Sequence, residues 1–196
     1  MTAFLRKRAC ACENQRVGEG EPRLELDEVL IGGREKRRIV IVDYDPAWPA
    51  RFERECGRVQ LALGASARRV EHIGSTAVPG LAAKPVIDLL VTVPDPDDDA
   101  TIVPALESAG YQLRVREPGH RMFRTPARDV HIHLWRDGDP EVARYLSFRD
   151  RLRRSPADRV AYQRLKQELA TRDWTDMNDY AEAKGPFIEA VLAGEP

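Results

Sequence analysis

Residues 70–93 read Val70-Glu71-His72-Ile73-Gly74-Ser75-Thr76-Ala77-Val78-Pro79-Gly80-Leu81-Ala82-Ala83-Lys84-Pro85-Val86-Ile87-Asp88-Leu89-Leu90-Val91-Thr92-Val93. Val86 to Val93 is nearly all apolar over the length of a strand, the pattern of a strand buried on both faces. Residues 74–85 hold two glycines and two prolines among small side chains, which makes a turn-rich connection, and residues 67–73 supply a short strand before it. A sheet is therefore expected, with its most buried strand carrying one acidic residue.

Upstream, Ile39-Val40-Ile41-Val42 is a β-branched run expected to form a strand, closed by the turn chemistry of Asp43-Tyr44-Asp45-Pro46. Trp48, Phe52, Cys56, Val59 and Leu63 then recur at steps of three and four, the apolar face of a helix. Downstream, Pro94 and the acidic stretch 95–99 end the buried strand. A helix at 99–109 follows, then strands at 111–117, 120–125 and 128–135, the last two a hairpin turning at Pro126. From Asp139 the pattern is helical at 140–153, 156–172 and 177–193, with Pro140 and Pro156 in first turns and a break at Gly185-Pro186. Interleaved strands and helices followed by helices alone predict an α+β fold, a mixed β-sheet core with a helical C-terminal half.

At 196 residues with 42% hydrophobic side chains the chain suits one domain with an ordinary core. Residues 1–37 show no sustained period and read as a flexible leader, so the domain is expected over 38–196 and a chain starting at Arg38 is expected to keep its melting temperature. With 31 basic and 32 acidic side chains, no global field draws the protein to a polyanion: no extended nucleic-acid surface is expected, and anion binding must be local. No apolar run is long enough for a membrane span or a signal peptide. Cys10, Cys12 and Cys56 do not make a disulfide framework, which fits a reducing cytoplasm.

The chemistry gathers around the quoted stretch. Gly74, Ser75 and Thr76 place small hydroxyl residues and open backbone N–H groups at a turn after a strand, suited to gripping phosphate. Asp88 inside an apolar strand needs compensation, either a salt bridge to Lys84 or an arginine, or a divalent cation. His131 and His133 share one strand face by the period of two; with Asp88 on a neighbouring strand they form a metal-ligand set, or else one of them hydrogen-bonds Asp88. Such imidazoles favour a transition metal over magnesium. His72, just before the turn, is a proton shuttle, a phosphate contact or a structural histidine. Arg114, Arg116, Arg121, Arg124 and Arg128 concentrate positive charge that either clamps a phosphate chain or coats a solvated face, with Arg121 and Arg124 the leading candidates. Lys84 is a further phosphate contact.

The stretch His72 to Asp88, together with Tyr44-Asp45-Pro46, Trp48, His131-Ile132-His133, Tyr162, Leu165-Lys166, Tyr180 and Lys184, resembles the GrpB family, within the nucleotidyltransferase superfamily of polymerase-beta-like minimal fold. The resemblance spans roughly residues 38–194. It implies a Gly-Ser turn holding the phosphates of a nucleoside triphosphate, a strand of metal-binding carboxylates with Asp88 catalytic, and roles for Lys166 and Lys184 in nucleotide binding. In that superfamily the strand carries two acids one residue apart; here the second position is Leu90. The activity implied is metal-dependent transfer of a nucleoside monophosphate, with magnesium or manganese as cofactor, from a nucleoside triphosphate to a small-molecule acceptor. A non-catalytic nucleotide- or phosphate-binding module and a His/Asp metal-dependent hydrolase are the rival readings.

Overall fold

A computed structural model describes residues 27–194. Five strands, β1 (Arg69–Ile73), β2 (Ile87–Val93), β3 (Gln112–Glu117), β4 (His120–Arg124) and β5 (Val130–Arg136), form one sheet in the order β1-β2-β5-β4-β3. Only the β2/β5 pair is parallel, the others being antiparallel. The helices are α1 (Trp48–Leu63), α2 (Asp99–Ser108), α3 (Pro140–Arg154), α4 (Pro156–Ala170), α5 (Met177–Glu182) and α6 (Gly185–Ala193). The fold is α+β with a mixed sheet, as the alternation of elements implies.

β2 lies between β1 and β5 and is buried along its whole length. Its alternating side chains feed two different cores. Ile87, Leu89, Val91 and Val93 join Ile132 and Leu134 of β5 against Trp48, Val59 and Leu63 of α1 and Ile102 and Leu106 of α2. On the opposite face Leu90 packs with Ile73, Trp135, and Val142 and Tyr145 of α3. A separate core of Val78, Leu81, Phe148, Leu152, Tyr162, Ile188 and Val191 holds the turn-rich connection against α3, α4 and α6. By the period of two, Asp88 sits on the face turned toward the helical half.

The helical half is punctuated by its own sequence. Asp139 caps α3 by accepting from the Glu141 N–H, Pro140 opens the helix, and Arg151, Arg153 and Arg154 lie in its last turn against the helix dipole. Ser155 then ends α3 and caps α4, accepting from the Asp158 N–H. Arg149 of α3 joins the halves through Glu71 at 2.7 Å and the His72 carbonyl at 3.0 Å.

Two expectations change. Ile39 to Val42 is not a strand; its only β-pairing is an isolated bridge between Val42 and Ala83. Its alternation is one-sided, with Ile39 buried against Leu169 and Tyr180 and Val40 in solvent, so it runs as an extended strap across the helices, outside the sheet. Of the leader, residues 1–26 lie outside the described residues, whereas residues 27–37, mostly exposed, are anchored by Leu30 and by polar contacts. Leu30 bridges to Val115, and Arg114 donates to the carbonyls of Ile31 and Gly33. Glu35 accepts two hydrogen bonds from Arg124, at 2.9 and 2.7 Å. The Glu35 N–H donates to Asp176 and its carbonyl accepts from the Met177 N–H. Among the described residues no helix is long and apolar enough to cross a membrane.

The Glu35 contacts tie β4 to α5, so removing residues 27–37 is expected to cost about 2 kcal/mol. Calorimetric melting of a chain starting at Arg38 should therefore fall about 4–8 °C below that of a chain starting at Asp27. Equal melting temperatures would mean that these bonds contribute nothing net.

Candidate functional site

The turn after β1 is shaped by Asp88. Gly74 has φ 70°, and a Cβ there would lie 2.4 Å from Asp88 Oδ2. No side chain fits, and the left-handed backbone disfavours one in any case. Gly74 thus serves to let the chain pass against a buried carboxylate. The short 3₁₀ turn Ser75–Ala77 follows and brings Ser75 and Thr76 to the wall of a small cleft of about 50 Å³ between the sheet and the helical half.

Asp88 and His131 line the floor. Register pairs Asp88 with His131 and Leu90 with His133 across β2 and β5, so all four point to one face. His131 Nδ1 stands 3.3 Å from Asp88 Oδ1 without hydrogen-bond geometry, and His133 Nε2 is buried with no partner. One ligand atom from each of Asp88, His131 and His133 lies within 4.8 Å of the others. Burial works against the Asp88 charge and the adjacent His131 works for it. The His131 imidazole already answers part of the cost of the buried Asp88 charge, and the same three side chains have the chemistry to hold a single divalent ion through two nitrogen ligands and one oxygen ligand. Leu90 is wholly buried in the apolar cluster with Trp135 and Tyr145, and a second carboxylate site is not formed there.

Three lysines form the opposite wall. Lys84 comes from the turn before β2, Lys166 from α4 and Lys184 from the junction of α5 and α6. Lys166 Nζ lies 4.9 Å from the Tyr162 ring centre and donates to the Ala82 carbonyl. Lys184 Nζ lies 4.6 Å over Tyr180, and Lys84 Nζ 5.6 Å over the same ring. The aromatic faces take part of the cationic charge, but burial dominates. It pushes Lys166 down to about 7, with Lys184 adding repulsion, and Lys184 down to about 7, with Lys84 adding repulsion against the pull of Asp88. Burial also lowers Lys84. Clustered, buried ammonium groups have the chemistry to pair with an anion.

Other candidates fall elsewhere. His72 points to the α1 face: it stacks on Phe52 at 4.7 Å, and its Nε2 is 3.0 Å from Thr76 Oγ1. Because Thr76 gives its own hydrogen to the Val86 carbonyl, His72 donates to Thr76. Burial pushes its pKa down to about 4; it is a neutral brace for the turn, outside the cleft lining. Arg121 is also on the far face, bound to Asp99 at 2.7 Å and Asp97 at 2.8 Å, since Arg121 and Arg124 are an odd number of residues apart on one strand. Arg124 shares the face of His131, to which it pairs, but its guanidinium is taken by Glu35. It lines a second groove of about 340 Å³ that adjoins the cleft through Lys84, Val86, His131 and Met177. Sequence reading did not single out His120, which opens β4 and lies beside His133. Counting the antiparallel hairpin back from its turn places His120 opposite Trp135, and that count is the signal that finds it.

The described residues thus define an α+β protein whose cleft sets a two-imidazole, one-carboxylate cluster beside three lysines. Residues 38–193 match the GrpB protein family, to which the chain belongs. It is 44% identical over 173 residues to a UPF0157 protein of Halalkalibacterium halodurans, covering 86% of this chain and 89% of that one. A UPF0157 protein of Streptomyces coelicolor is 49% identical over 162 residues, covering 83% and 87%. The crystal structure of the conserved protein GrpB from Enterococcus faecalis superposes with a TM-score of 0.71 at 34% identity, over 79% of this chain and 96% of that one.

The lysines give a signed expectation. Between pH 7 and 10.5 the unfolded chain binds more protons than the folded one, so stability of the ligand-free protein should rise with pH across that window. An anion that pairs with Lys166 and Lys184 raises their pKa values, and binding of inorganic pyrophosphate at pH 8 should take up about one proton. Titration calorimetry in buffers of different ionisation enthalpy reads this directly; proton-neutral binding would remove these lysines from the anion site.

Proposed function

We propose that the protein is a divalent-cation-dependent nucleotidyltransferase that moves a nucleoside monophosphate from a nucleoside triphosphate to a small acceptor. The observation that carries this reading is that Asp88 and His131, with His133 buried within ligand distance behind them, meet three buried lysines and the Ser75–Ala77 turn at one cleft. A bound cation would neutralise phosphate charge and polarise the phosphorus under attack. The chain does the rest. Lys84, Lys166 and Lys184 hold phosphate oxygens in place, and the 3₁₀ turn offers backbone N–H groups beside them. Burial of Lys166 and Lys184 strengthens the charge contacts they make. The acceptor oxygen attacks the α-phosphorus, the bond to the bridging oxygen breaks, pyrophosphate leaves with the electron pair, and the acceptor proton passes to solvent. Positioning and charge stabilisation supply the rate.

One observation favours a second reading: Leu90 fills the place of a second carboxylate, and a single-ion site with imidazole ligands also suits hydrolysis of a phosphate ester, or binding without turnover. A cytoplasmic setting is part of this proposal, supported by three cysteines that do not make a disulfide framework.

Incubation of purified protein with each nucleoside triphosphate and a panel of magnesium, manganese, cobalt and zinc separates the readings. Transfer releases pyrophosphate, hydrolysis releases orthophosphate or a cleaved ester, and binding alone releases neither. Asp88→Asn keeps the shape and removes the charge; it should lower divalent-cation affinity and any turnover on the order of 10²-fold while leaving the fold intact. Unchanged cation affinity in that variant would place the ion elsewhere.

A further inference from the structure

A line of buried polar groups ends at the cleft floor. Glu117 closes β3, His120 opens β4, and His133 lies within β5. Glu117 Oε2 is 3.2 Å from His120 Nδ1, and His120 Nε2 is 3.3 Å from His133 Nδ1. Both imidazoles are 0% exposed. Trp135 stacks on His120 at 4.2 Å with an 18° tilt between the planes, so the ring has no room to turn away.

Counting hydrogens along the line assigns the free nitrogen. A carboxylate only accepts, so His120 carries its hydrogen on Nδ1. A neutral imidazole has one N–H, which leaves a lone pair on His120 Nε2 to accept from His133 Nδ1. The second nitrogen of His133, Nε2, then also holds a lone pair, and it is the buried atom with no hydrogen-bond partner. It belongs to the residue trio whose ligand atoms lie within 4.8 Å of one another. The opposite orientation would put a hydrogen on Nε2 and leave a buried donor with no acceptor.

We propose that Glu117 and His120 are positioning residues that hold His133 as an Nε2 ligand for a transition-metal ion shared with Asp88 and His131. The proposal rests on the cation site described above and adds which metals it selects and what orients it. Two neutral imidazoles and one carboxylate favour manganese, iron, cobalt or zinc over magnesium, and a ligand histidine is oriented by whatever accepts its other N–H. Here that acceptor is a second histidine, itself set by a carboxylate on a different strand, so the tautomer of His133 is fixed by β3 and β4 while its lone pair faces the β2 side of the cleft.

The test uses the whole chain, stripped with chelator and titrated with cobalt, manganese, zinc and magnesium, with cobalt followed by its visible absorption and the others by calorimetry. Wild type should bind the transition ions more tightly than magnesium. His120→Phe keeps a ring against Trp135 but accepts no hydrogen bond, and should weaken transition-ion binding about 10–100-fold while changing the cobalt spectrum. His120→Gln offers an amide oxygen to the His133 N–H and should recover part of that loss. Nitrogen-15 correlation spectra of the metal-free wild type need no variant and should show His133 protonated on Nδ1. A wild type that binds no transition ion overturns both the cation site and the relay. Normal binding by wild type with unchanged affinity in folded His120→Phe, or His133 protonated on Nε2, overturns the relay alone.

Discussion

A carboxylate placed inside an apolar strand sets the terms for the rest of this molecule. Asp88 is 6% exposed in a strand whose other residues are also buried, and an uncompensated charge there would cost several kcal/mol. The surroundings answer that cost from three directions. The chain crosses it at Gly74, where no side chain fits. An imidazole stands 3.3 Å away on the parallel neighbour. Lysines from a loop, a helix and a helix junction face it across a cleft. Each of these features is awkward alone, and together they describe a place where positive charge is meant to be held close to one negative group.

The fold carries this arrangement by separating two jobs on one strand. The face of β2 without Asp88 joins the α1 and α2 core, while the Asp88 face meets α3 and leaves its end open. The helical half brings its lysines to that opening because α4 and the α5/α6 junction cover it. Lys166 and Lys184 are buried at 2% and 7% exposure, which ordinary surface lysines are not. Their reduced proton affinity follows from that burial and from their repulsion of one another and of Lys84.

Much of this was legible in the chain itself. The apolar run ending at Val93, the helix periodicity from Trp48 and the prolines at 140 and 156 each state a local preference that tertiary packing agrees with. The period of two puts His131 and His133 on one face, and the pairing of β2 with β5 brings Asp88 beside them. What failed did so for want of register. Ile39 to Val42 has strand composition but no partner edge. Arg121 and Arg124 look equivalent in a list of arginines, yet strand parity sends them to opposite faces. His72 carries the same chemistry as the cleft histidines and faces α1. His120 becomes visible only when a hairpin is paired residue by residue.

Glu35 stands outside the matched span of residues 38–193, yet it holds Arg124 by its side chain and α5 by its backbone. One residue therefore spans both banks of the groove that adjoins the cleft. A boundary drawn by sequence similarity encloses the chemical groups and leaves out this brace. Arg124 on the sheet and the start of α5 cannot move apart without breaking the Glu35 bonds, so the width of the groove beside the cleft is fixed by this one residue.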